Sequence, residues 1–151
     1  MKRFFFTLIL LITPSMSFAA SQVCDGKSCV DVEVVSKLDD MERGLMYRTS
    51  LGADNGMLFA FSAEAKQQFW MKNMHFNLDM LWIDANKKIV YIGHDIPACT
   101  NDPCPIYAPE VMAQYVLELN TGYTNAHQWK LGDILSLGLP LSAADRVSNV
   151  Q

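Results

Sequence analysis

Lys72 and Asn73 stand inside an otherwise apolar stretch, residues 69–74, that is predicted to be a strand. A cation in such a place needs water, a carboxylate or an anionic ligand. Asp79 follows a few residues later and could pair with Lys72. Arg43, on a predicted helix, could add a planar guanidinium fork for a carboxylate or phosphate. Together these residues predict a pocket for an anion or a small polar ligand.

The same residues are also compatible with other roles. They could form an internal network of ion pairs that fixes the helix on a sheet, with Glu118 or Asp133 as further partners of Lys72. Alternatively, Asp79 could be the general base of a hydrolase that acts on envelope material, with Lys72 or Arg43 positioning the substrate. A third alternative is a structural partner of another envelope protein. We expect a non-catalytic binding or interaction module, and the alternatives stay open.

The four cysteines occur as two pairs with equal spacing, Cys24 with Cys29 and Cys99 with Cys104. In an exported protein an even number of cysteines points to disulfides, and short loop closure favours pairing within each pair. A zinc site of four thiolates is the alternative, which an oxidising compartment disfavours. We expect two local disulfides, no metal and no cofactor. The second pair lies in a long proline-rich stretch, and we expect this loop with Tyr107 to gate the pocket.

The N-terminus resembles a targeting segment. Lys2 and Arg3 precede an apolar run, residues 4–12, that is too short to span a bilayer as a helix. Small residues end at Ala19, which predicts a signal peptide over residues 1–19 with cleavage after Ala19. Because no second long apolar run follows, we expect a periplasmic or secreted protein with no membrane span after cleavage.

The composition limits the class of protein. The chain has 151 residues, 50% of them hydrophobic and 11% aromatic, with a formal net charge of −4. This length suits one domain, which we place at residues 20–138 with a loose tail at 139–151. The apolar content excludes a disordered chain, and the acidic balance disfavours a nucleic-acid partner.

The predicted elements are short. Valines alternate with Asp31 and Glu33 in a half-exposed strand over residues 30–35. Asp39 and Glu42 have the spacing of a capping box, which predicts a helix that continues to about Arg48. A second helix is predicted at residues 124–130. The other predicted strands cover residues 56–61, 69–74, 78–83, 88–93, 115–119 and 134–137. This pattern predicts a mainly β fold, α+β by content: a β-sandwich or barrel-like single domain with two short helices.

Six short blocks fall in one order along the chain: Arg43 to Met46, Gly56 to Phe59, Phe69 to Asn73, Leu78-Asp79 with Ile83-Asp84, Tyr115 to Glu118, and Gly132 with Asp133. In these blocks the chain resembles the prokaryotic family called domain of unknown function 192, over roughly Val32 to Leu137. The resemblance implies a mainly β, sandwich-like fold. It gives no activity that could be carried over to this chain. One departure is Met74, because the family usually has Thr after the Lys-Asn pair.

Methionines suggest one metal alternative. Met71 and Met74 with His75 could supply soft ligands to Cu(I). In a continuous strand, however, Met71 and Met74 would point to opposite faces. We therefore expect methionines that fill a core.

Overall fold

The computed structural model describes residues 21–139, so the predicted signal peptide and residues 140–151 of the predicted tail lie outside the described residues. The structure is dominated by strands. They are β1 (Gln22–Cys24), β2 (Cys29–Val35), β3 (Asn55–Ala65), β4 (Phe69–Trp70), β5 (Leu78–Ile83), β6 (Ile89–Ile96), β7 (Ile106–Tyr107), β8 (Ala113–Asn120) and β9 (Ser136–Gly138). Two short helices are α1 (Leu38–Arg43) and α2 (Tyr123–Ala126).

Seven strands form one mixed sheet in the order β6-β5-β8-β3-β2-β1-β9, and β4 pairs with β7 in a separate ribbon. Only β2 and β3 run parallel among the described pairs. The sheet curls until its two ends approach each other, since Lys88 forms a bridge with Ile134 and the Leu135 amide donates to the Lys87 carbonyl. The predicted mainly β, barrel-like fold with two short helices is confirmed.

Side chains from the curled sheet build two cores, because alternate residues of a strand point to opposite faces. Leu58 and Leu117 point to the inner face, where Tyr123 and Trp129 pack against them. Met57, Phe59, Met80 and Trp82 belong to the outer core, which the chain segments outside the main sheet cover with Leu45, Met71 and Met74. All six residues of β5 are buried, as expected for a strand covered on both faces.

Three predicted elements are shorter than expected. α1 ends at Arg43, because the chain turns at Gly44 with a φ of 45°, and it begins after Lys37 with no side-chain cap. The predicted capping box at Asp39 is therefore wrong. α2 covers residues 123–126 instead of 124–130. The predicted strand at 69–74 ends at Trp70.

Both predicted disulfides are present, with S–S distances of 2.05 Å for Cys24–Cys29 and 2.07 Å for Cys99–Cys104. The first joins β1 to β2 across their turn. The second closes the loop that precedes β7. Among the described helices, none is long and apolar enough to cross a membrane.

Candidate functional site

A groove of about 360 Å³ opens between α1, with its following turn, and the outer face of the sheet. Half of its lining residues are methionines or aromatic residues. The main lining side chains are Met41, Met46, Met74, Phe61, Phe69 and Trp70. Met74 is also the position at which the chain departs from the family pattern, so that departure falls in the groove wall.

A polar depression of about 410 Å³ adjoins the groove, and Glu42, Arg43, Met46 and Trp70 line both. A second acidic residue, Asp39, also lines the depression. Lys72 and Asn73 also line this depression. We call Arg43, Lys72 and Asn73 the polar rim. The structure therefore brings together three of the residues that the sequence pointed to.

A local change in backbone conformation places the polar rim. After β4 ends, Asn73 adopts a φ of 57°, in the left-handed region that Asn tolerates. This turn breaks the strand alternation, so Met71 and Met74 both enter the outer core. The condition for opposite faces, a continuous strand over residues 69–74, is therefore not met. The Asn73 amide nitrogen donates a hydrogen bond of 2.8 Å to the Tyr47 hydroxyl.

Lys72 remains partly exposed, with 37% of its side chain accessible. Its ammonium pairs with Asp102 at 3.1 Å and lies 5.8 Å from the centre of the Trp70 ring. The Cys99 amide also donates to the Met71 carbonyl at 3.0 Å. The loop between Cys99 and Cys104 is thus anchored beside the polar rim.

Tyr107 lies apart from the groove. It pairs with Phe69 in the β4–β7 ribbon and packs against the outer core. It lines a different depression, together with Tyr91 and Ile96. Tyr107 therefore does not line the groove or the adjoining polar depression, where it was expected.

Asp79 lies on the inner face of the sheet, because it alternates in β5 with the outward-facing Met80. It is only 1% exposed. Its carboxylate accepts bonds from the Asp95 amide at 3.0 Å, the Thr124 amide at 3.1 Å and the Thr124 hydroxyl at 2.5 Å. Lys72 is paired with Asp102 instead. Asp79 therefore holds α2 against the sheet, and the predicted pairing with Lys72 was wrong.

Glu118 is a groove residue that the sequence analysis missed. It was named there only as a possible partner of Lys72. It lies on β8 opposite Met57 and Met80, lines the groove and is 5% exposed. Burial raises the pKa of its carboxyl from 4.5 to about 8, while the charge of Arg48 acts in the opposite direction. The signal for it was a single acidic residue within an apolar strand.

No metal site stands out in this region. Within residues 21–139, no group of three or more His, Cys, Asp or Glu side chains lies in a metal-binding arrangement. The groove and the polar rim instead form a concave surface with an apolar body and a few polar groups, which is typical of a site for a small organic molecule.

The chain belongs to the DUF192 family, described as "Uncharacterized ACR", whose profile matches residues 21–137. It is similar to a solved structure from Sinorhizobium meliloti 1021, described as a candidate transcription regulator, with 32% identity and a TM-score of 0.71. That match covers 83% of this chain and 100% of the other. A protein of unknown function from Novosphingobium aromaticivorans DSM 12444 has a similar fold, with 22% identity, a TM-score of 0.70 and coverage of 83% and 91%. No curated protein matches the chain.

Proposed function

We propose that the protein is an exported, non-catalytic binding module for a small organic ligand with an apolar body and an anionic or polar head. The observation that carries the proposal is that the apolar groove and the polar depression adjoin and share a wall, in which Arg43 is the only cation. Such a surface suits an amphiphilic molecule. The apolar body would lie in the groove and the head would lie at the rim.

Arg43 is the cation best placed to receive an anionic head. It is exposed and makes no ion pair with any described residue. Lys72 is the second candidate, because its ion pair with Asp102 is partly exposed and such pairs contribute little. A ligand carboxylate could therefore replace Asp102 at small cost.

The groove lining would supply most of the affinity. Burial of one methylene contributes about 0.8 kcal/mol. A six-carbon chain is then a suitable probe, because its burial offsets much of the entropy lost on binding. The polar rim would contribute selectivity for the head group.

The position of Asp79 argues against the alternative of a hydrolase that uses it as a general base. Its carboxylate is on the opposite face of the sheet from the groove, and three hydrogen bonds occupy it. A base must come within hydrogen-bond reach of the proton that it removes. A substrate in the groove would not meet that condition at Asp79.

Titration with hexanoate, followed by amide NMR shifts and calorimetry, tests the proposal. We expect hexanoate to shift resonances of the groove and the polar rim, and R43Q to weaken its binding at least fivefold. K27Q is the matched control, since it removes an exposed cation that does not line the groove. The proposal fails if hexanoate shifts no groove resonance, or if R43Q and K27Q bind it equally well.

A further inference from the structure

The two buried carboxyl side chains of residues 21–139 differ in how many hydrogen bonds they accept from the protein. Asp79 accepts three hydrogen bonds from the protein. Glu118 is nearly as buried, yet it makes no hydrogen bond or ion pair with any described residue. Buried carboxyls normally have donors, because an unpaired one costs free energy. No fully buried side-chain oxygen or nitrogen within residues 21–139 lacks a partner, so the Glu118 carboxyl oxygens keep contact with the groove. Its acceptors are therefore open to water or to a ligand that enters the groove.

The groove around Glu118 has the chemistry of a cation site. The Phe69 ring lies edge-on to Phe59, with 4.9 Å between centroids, and edge-on to Phe61, at 6.4 Å. These rings and Trp70 line the same groove as Glu118. Aromatic rings attract an organic cation through their quadrupoles, and a carboxylate adds a counter-ion.

The charged groups near Glu118 come from α1 and the turn that follows it. Arg48 acts on Glu118 from a distance, but its guanidinium is bonded to Glu33. Glu42 and Arg43 line the groove and are exposed. On β3 and β5 the residues opposite Glu118 are methionines, which carry no charge. None of these cations is bonded to the Glu118 carboxyl.

We propose that Glu118 is the counter-ion for a protonated amine of the ligand, which lies at the floor of the groove against the aromatic rings. This inference rests on the proposed function, because it assumes that the groove binds a ligand, and it names the ligand class. The ligand has an apolar body and an amine at the end that enters the groove. With an anionic head at Arg43, it would carry opposite charges at its two ends.

Binding of the amine should be coupled to the proton on Glu118. Only the ionised carboxyl pairs with an ammonium group, so binding expels the proton that burial favours. An alkylamine stays protonated throughout this pH range. Its apparent affinity should therefore fall about 50-fold from pH 8 to pH 6, because the ionised fraction of a group with a pKa near 8 falls by that factor. An uncharged alcohol of the same length should show no such dependence.

The experiment compares hexylamine with hexanol by calorimetry on the wild-type protein, on E118Q and on D54N. We expect hexylamine to bind at least tenfold more tightly than hexanol at pH 8, and to release close to one proton per site at pH 7. E118Q should lose this preference and the pH dependence. D54N is the control, because it removes an equal charge from an exposed residue that does not line the groove.

The outcomes separate this inference from the proposed function. If hexanol and hexanoate bind in the groove but hexylamine binds no better than hexanol, the amine subsite is wrong and the binding module stands. If neither these probes nor hexylamine binds, both proposals fail. Should E118Q not fold, the wild-type comparison still decides, because proton release and the alcohol control need no variant.

Discussion

Replacement of Glu118 by glutamine should remove a large pH dependence of stability. The folded protein holds the Glu118 proton more tightly than the unfolded chain does, since burial raises the pKa from 4.5 to about 8. The free energy of unfolding therefore falls as pH rises between these two values. The loss from this group is at most about 5 kcal/mol, at about 1.4 kcal/mol for each pH unit.

That amount is comparable to the whole stability of a small domain, which is about 5–15 kcal/mol. Glutamine keeps the size of the side chain but cannot ionise. We expect E118Q to be more stable than the wild type by less than about 1 kcal/mol at pH 5 and by several kcal/mol at pH 9. Any solvent or ligand that reaches the carboxyl through the groove would reduce the difference, because it would lessen the cost of the charge.

Urea unfolding at pH 5, 7 and 9, followed by tryptophan fluorescence with both disulfides intact, measures the effect. Other titrating groups cancel in the difference between variant and wild type. E42Q should leave the curve unchanged, since Glu42 is exposed. Parallel stability curves for E118Q and the wild type across this pH range would refute the reasoning about Glu118.

Three further predictions follow from other contacts. T124V should destabilise the protein by about 1–3 kcal/mol in urea unfolding, because the Asp79 carboxylate loses its hydroxyl donor; an unchanged midpoint would contradict the assigned role of Asp79. K72A should change stability by less than about 1 kcal/mol, because its ion pair with Asp102 is partly exposed, yet it should weaken hexanoate binding; a large loss of stability would make Lys72 structural. When the full sequence is expressed, intact mass spectrometry of the periplasmic fraction should show cleavage after Ala19. It should also show no thiol that reacts with an alkylating reagent, because both cysteine pairs form disulfides. An uncleaved, cytosolic, reduced protein would contradict export.

Local features of the chain could be predicted from the sequence because they depend on residues that are close together along the chain. Alternation of valines with acidic residues predicted β2, and the short spacing of the cysteines predicted both disulfides. Lys72 and Asn73 were recognised because they stood out in an apolar stretch, and Arg43 because its guanidinium on a predicted helix could bind an anion. The mainly β fold followed from many short strands separated by turns.

The assignment of side chains to a face required the tertiary structure. Asp79 and Glu118 are both acidic residues in buried strands, and their own segments contain no sign of which face is inner. The curl of the sheet and the pairing of β5 with β8 turn Asp79 inward to Thr124 and Glu118 outward to the groove. By itself, the sequence determined the longer strands, the two disulfides and the residues of the polar rim. Only long-range packing decided which carboxyl receives donors from the chain and which faces the groove without one, because donors such as Thr124 lie far away along the chain.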